Sequence, residues 1–224
     1  MTAEPLTVDP EAVAARATAL RARVDGLTRH GPIAIVAVTK GFGSDAVRAA
    51  AAAGFTDFGE NYAQELLVKA TDLGDQLSAR WHFLGRLQRN KVRSLAPLVV
   101  VWESVDRPEL AEEIARRAPG ARVYVQANLS GEPNKGGAPF SEVPDLVAAA
   151  RSLGLAVDGL MGVAPAGDPE DARPGFRALV ALADDLGVEV RSIGMSGDFE
   201  VAVEEGSTEL RVGTALFGSR PLRR

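Results

Sequence analysis

The chain has no cysteine, two histidines, two tyrosines and no apolar stretch approaching the ~20 residues a membrane helix needs. Without cysteine there are no disulfides, no thiolate metal sites and no cysteine nucleophile. His30 and His82 stand far apart in sequence and form no His-rich metal or triad pattern. Excess base is missing too: net charge is -5 with a pI near 5.2, so nucleic acid is excluded as the expected partner. The one basic stretch, Arg86–Arg93, reads as a solvated helix face. The start, Met1-Thr2-Ala3-Glu4-Pro5, lacks the basic-then-apolar order of a signal peptide, and a cytoplasmic protein without membrane partners is expected.

What is present is an alternation. Asp9-Pro10-Glu11 opens a helix that runs to Leu27, because Asp9 can cap and proline costs nothing in a first turn. Ile33–Val38 is an uninterrupted apolar, β-prone run, the pattern of a strand buried on both faces. Further strands are expected at Thr56–Phe58, Trp81–Leu84, Leu98–Trp102, Arg122–Asn128, Val157–Met161, Val190–Ile193 and Glu209–Val212. Helices are expected at Ser44–Ala53, Asn61–Leu73, Gln88–Leu95, Pro108–Arg117, Glu142–Ser152, Pro169–Leu186 and Gly197–Glu205. Eight strands alternating with helices imply right-handed βαβ units and a parallel sheet, and suggest an α/β fold closed as a TIM-like (β/α)8 barrel. The tail beyond Phe217 is too short for a normal eighth helix, so the N-terminal helix is expected in that slot. With no linker or composition break, residues 1–224 read as a single domain.

In such a barrel the site lies where the strands end. Lys40 follows the first strand. Its stem would sit in the apolar mouth, where desolvation frees an amine to attack a carbonyl; taken alone, this is also where a surface lysine falls. The loop Gly41-Phe42-Gly43-Ser44-Asp45-Ala46 offers a rival reading, a G-x-G-x-x-A dinucleotide fingerprint with Glu60 in place of the acidic ribose ligand. That rival leaves the C-terminal motifs unexplained. Gly194-Met195-Ser196-Gly197-Asp198 follows the seventh strand and Arg211-Val212-Gly213-Thr214 belongs to the eighth, the two loops that bind phosphate in barrels. Glycines let a phosphate approach backbone N–H groups, and Ser196 and Thr214 add hydroxyls. A lysine after strand one and a phosphate cup after strands seven and eight are neighbours once the barrel closes.

These segments, with Gly59-Glu60-Asn61-Tyr62, Trp81-His82-Phe83-Leu84-Gly85-Arg86-Leu87-Gln88-Arg89-Asn90-Lys91 and Gly159-Leu160-Met161, resemble the pyridoxal phosphate homeostasis protein family, relatives of the alanine racemase N-terminal barrel. The resemblance spans essentially the whole chain. It implies a fold-type III barrel binding pyridoxal 5'-phosphate (PLP), with Lys40 as the Schiff-base lysine. It further implies phosphate contacts from Ser196, Gly197, Gly213 and Thr214, Arg211 facing the pyridine nitrogen, and Asn61 close to the cofactor. An arginine there cannot protonate the ring nitrogen, which weakens the cofactor as an electron sink. The second base of racemases on this fold is a tyrosine from an additional domain, whereas Tyr62 and Tyr124 are the tyrosines of this chain. A monomer that buffers PLP and delivers it to PLP-dependent apo-enzymes, without turnover, is therefore expected; the alternative is an amino-acid racemase. The family often has Thr and Pro after the lysine where this chain has Gly41-Phe42-Gly43, and Lys135 is a surface lysine that could serve as a secondary attachment point.

Overall fold

The computed structural model describes residues 7–29, 31–132 and 135–219; His30, Pro133, Asn134 and the stretches 1–6 and 220–224 lie outside them. Eight strands follow in chain order: β1 (Ala34–Val38), β2 (Asp57–Glu60), β3 (Arg80–Phe83), β4 (Val99–Val105), β5 (Arg122–Asn128), β6 (Ala156–Val163), β7 (Val190–Met195) and β8 (Glu209–Val212). Each is parallel to the next, and β8 pairs with β1, setting Val36 opposite Arg211, so the barrel is closed. Around it lie α1 (Pro10–Leu27), α2 (Ser44–Ala52), α3 (Ala63–Leu73), α4 (Arg89–Leu95), α5 (Pro108–Arg117), α6 (Val143–Ser152), α7 (Arg173–Asp185), α8 (Phe199–Glu204) and the single turn α9 (Thr214–Phe217).

The N-terminal helix does take the last slot of the ring. Asp9 caps it by accepting Glu11 N–H at 3.0 Å, and it buries Val13, Ala17, Leu20 and Val24, which share one stripe at helical spacing. That stripe packs against α2, α8 and α9. Arg21 donates to Ala53 O at 2.8 Å, and Arg23 forks onto Glu200 of α8, tying the first helix to both neighbours.

Three elements differ from expectation for local reasons. The segment expected as one helix, Pro169–Leu186, is a 3-10 turn at Pro169–Ala172 followed by α7, because Pro174 lacks an N–H and fits only a first turn. The helix expected from Gly197 begins at Phe199, with Asp198 spent on holding Met195 N–H. β4 runs on through Glu103 and Ser104 to Val105, so two polar residues that looked like a strand end are buried inside it.

Candidate functional site

At the C-terminal mouth of the barrel is a cavity of about 380 Å³ whose lining includes all seven candidate residues: Lys40, Asn61, Ser196, Gly197, Arg211, Gly213 and Thr214. They arrive from the exits of β1, β2, β7 and β8, which closure makes neighbours. The remaining wall is apolar, formed by Val38, Phe42, Leu84, Met161, Val163 and Met195. Its size and its mixture of apolar wall and few polar groups are those of a small-ligand site.

The Lys40 side is fastened from behind. Thr39, fully buried, donates its hydroxyl to Glu60 at 2.5 Å. Lys69 of α3, also buried, donates to Thr39 O at 2.7 Å and forms a short ion pair with the same Glu60 carboxylate. On the far side of Lys40, Gly41 N–H donates to Glu65 at 2.7 Å. Gly41 has φ +80°, a conformation that glycine takes without strain. Burial pushes the Glu60 carboxyl upward, against the opposing charge of Lys69. Being buried and bound to Lys69 and Thr39, Glu60 is not available to hydrogen-bond a ribose, and this removes the acidic ligand that the dinucleotide reading requires.

Sequence reasoning missed Phe42. Its ring is buried, lines the cavity and packs on Phe217 of α9 with centroids 5.3 Å apart, so the unusual Gly41-Phe42-Gly43 loop clasps the end of the barrel.

Opposite Lys40, the Ser196 hydroxyl oxygen accepts the N–H groups of Gly213 and Ala215 at 3.2 and 3.1 Å, so it joins the β7 loop to the start of α9. A Cβ on Gly213 would come 3.1 Å from Val38 O, a close approach that keeps this strand end tight on β1. A Cβ on Gly197 would meet nothing within 4 Å, so the backbone there is open to a ligand. Arg211 is almost wholly buried and points along the cavity floor. Its Nη1 donates to Ser192 O and Oγ at 2.5 and 2.6 Å, and its Nη2 to Gly162 O at 2.6 Å. The amine at one end and the hydroxyls, glycine backbone and helix start at the other make a donor set that fits a small aldehyde carrying a phosphate.

Neither tyrosine lines this cavity. Tyr62 is 59% exposed, and Tyr124 is buried within the barrel, donating to Glu209 at 3.3 Å. Lys135 is off the cavity and lies 3.8 Å from Glu132. Part of the basic stretch is more than a solvated face: Arg86, Gln88 and Lys91 line a second cleft of about 730 Å³, which Tyr62 and Arg107 also line and which shares Asn61 with the first.

The family described as alanine racemase, N-terminal domain, matches residues 8–221. The chain is 40% identical over 196 residues to the pyridoxal phosphate homeostasis protein of Pseudomonas aeruginosa, covering 84% of this chain and 85% of the relative. It is 44% identical over 179 residues to the protein of that name from Aquifex aeolicus, covering 75% and 78%. Among solved structures it is similar to PipY of Synechococcus elongatus with PLP bound, at TM-score 0.82 and 32% identity, covering 92% of this chain and all of that one. Corynebacterium glutamicum alanine racemase, at TM-score 0.75 and 19% identity over 96% of this chain and 63% of that one, shares the fold.

Proposed function

The chain belongs to the pyridoxal phosphate homeostasis protein family, built on the alanine racemase N-terminal domain, and from that premise we propose that it carries PLP covalently on Lys40, buffering and delivering the cofactor without turning over substrates. The observation that carries this reading is the shared cavity, which brings an amine to one end and a cup of hydroxyls and glycine backbone to the other. When bound, PLP supplies an aldehyde that an amine can condense with, and a phosphate dianion that anchors it. Ser196 and Thr214 give the phosphate hydroxyl donors, and the backbone of Gly197 and Gly213 lets it approach closely. Arg211, held from below by three hydrogen bonds, would be the residue facing the ring nitrogen, and a guanidinium there would not give that nitrogen a proton. Asn61 borders the ring from the β2 exit, and Phe42 and Leu84 screen it from water.

The reading of no turnover rests on what faces Lys40. Racemisation needs a second base on the other face of the cofactor, and neither Tyr62 nor Tyr124 lines the cavity. Residues 1–224 then act as one domain, a monomer in the cytoplasm, where PLP-dependent apo-enzymes take the cofactor from it.

Borohydride reduction of the PLP-loaded protein followed by peptide mass mapping tests the attachment. Label on Lys40, with loss of the near-visible absorbance band in Lys40→Ala, is expected. Label elsewhere, or an unchanged band in Lys40→Ala, overturns the reading. Deuterium incorporation at Cα of alanine or serine, well above the rate with free PLP, would favour the racemase instead.

A further inference from the structure

Beneath the cavity the barrel axis is crossed by a file of six polar side chains drawn from five strands, with Arg80 and His82 both on β3. It starts at the opposite mouth, where Arg80 donates to Asp57 at 2.9 Å. His82 Nε2 then faces Asp57 at 3.1 Å, and His82 Nδ1 faces Glu103 Oε1 at 2.6 Å. The second oxygen of Glu103 accepts the Ser192 hydroxyl at 2.7 Å, and the Ser192 oxygen accepts from Arg211 at 2.6 Å. His82, Glu103, Ser192 and Arg211 are each at most 4% exposed.

Glu103 accepts on both sides and Arg211 has only donors, so a Ser192 lone pair faces Arg211 while its hydroxyl hydrogen faces carboxylate, Glu103 at 2.7 Å with Glu209 also within reach. Both His82 nitrogens face carboxylates, so both donate and the ring is an imidazolium. His82, Glu103 and Glu209 each bring an oxygen or ring nitrogen within 4.8 Å of one another. The proton on His82 shares the balancing of the carboxylates with Arg80, which donates to Asp57, and with Arg211, whose charge acts on Glu103. Burial opposes that proton, but the hydrogen bonds to Asp57 and Glu103 outweigh it and raise His82 to about 10. The other groups facing the file are Glu209, which has one oxygen without a partner, and Tyr124, which bonds its other oxygen.

We propose that His82, acting through Glu103 and Ser192, is a positioning residue for Arg211, fixing where the guanidinium lies on the cavity floor and how much positive charge it presents there. An uncompensated Glu103 would pull Ser192 and the arginine deeper into the barrel; with His82 charged, the pull is balanced from below. The effect on a bound ring rests on the PLP reading above, whereas the coupling of His82 to Arg211 does not.

Ser192→Ala, Glu103→Gln and His82→Gln test it in the full-length protein, with Ser192→Thr as rescue and Ile193→Val as a packing control. Two readouts use PLP: its affinity and the pH midpoint of its absorbance band. A third uses no cofactor: nitrogen NMR of His82 and the Arg211 Nε–H. In Ser192→Ala and Glu103→Gln, PLP should bind about five- to tenfold more weakly, the net worth of one ordinary hydrogen bond, because the lost bond acts on the ligand only through Arg211. The band midpoint should move by roughly half a unit or more. Ser192→Thr should restore both, and Ile193→Val should change neither. Wild-type affinity and midpoint in both Ser192→Ala and Glu103→Gln would overturn the proposal, as would a His82 ring that titrates like an exposed histidine. Should the wild type show no PLP band, the functional reading fails by itself and NMR decides the relay. A shifted Arg211 signal in His82→Gln supports the relay, and an unmoved one defeats it.

Discussion

The two sides of the cavity are both fastened by buried charge, but in different ways. Behind Lys40, a single cation, Lys69, compensates Glu60 from a helix outside the barrel, and one Glu60 oxygen has no partner. Below Arg211, hydrogen bonds run through Ser192, Glu103, His82 and Asp57 to Arg80, and each member between the two arginines has partners on both sides. A tightly buried pair is fragile to removal of one member, because the remaining charge loses its nearest counterweight. A file of shared hydrogen bonds gives up one link at a time. The first arrangement holds a loop in place; the second sets an electrostatic environment.

The largest expected effect on stability breaks this contrast if it fails. Lys69→Met should cost about 3–5 kcal/mol in urea unfolding, the usual penalty of stranding a buried charge, and Glu60→Leu added to it should recover most of the loss. Ser192→Ala should cost less, about 1–3 kcal/mol. Equal losses for Lys69→Met and Ser192→Ala would mean that the two networks are not different in kind.

A pH series sharpens the comparison. His82 is raised from its ordinary value to about 10, and burial with Glu103 nearby raises Glu209 to about 8. A raised group adds stability that is complete below its unfolded pKa and lost as pH climbs through its folded value. The melting temperature should therefore fall with rising pH, through Glu209 up to about pH 8 and through His82 from about pH 7 to pH 10, and His82→Gln should flatten the upper limb. Glu60 is shifted in the same sense, so Glu60→Gln is the matched variant from the other side. An alkaline limb that His82→Gln leaves as steep would place the charge elsewhere. Smaller still is Ser196→Ala, which removes one neutral hydroxyl from the cup. It should weaken PLP binding by a few-fold, for about 0.5–1.5 kcal/mol, with a small drop in melting temperature because the Gly213 and Ala215 N–H groups lose their acceptor, read by equilibrium titration.

How legible each side was in the sequence follows from the same contrast. Lys40, Ser196, Gly213 and Thr214 sit directly after apolar strands, where a barrel puts its chemistry, so local pattern and fold class together located them. The file below Arg211 left no such mark. It draws its residues from β2, β3, β4, β7 and β8, and an isolated polar residue in a strand normally signals a solvent face or a strand end. For that reason the pattern ends the fourth strand at Trp102, short of Glu103, and leaves His82 an isolated histidine. Phe42 escaped for a related reason: its partner, Phe217, lies at the other end of the chain.

The pairing of β1 with β8 has a consequence for biosynthesis. The lysine is made early and the cup last, so a chain emerging from the ribosome has an amine but nowhere to seat a phosphate until its final strand docks. Contacts between the two ends of a sequence form slowly, because the chain must first lose the entropy of a long loop. A ligand that spans β1, β7 and β8 binds only the closed barrel and stabilises it by mass action. A protein that stores a cofactor on this seam thus makes its own folding sensitive to how much of that cofactor is free, and a shortage would leave the last step of closure with less to hold it.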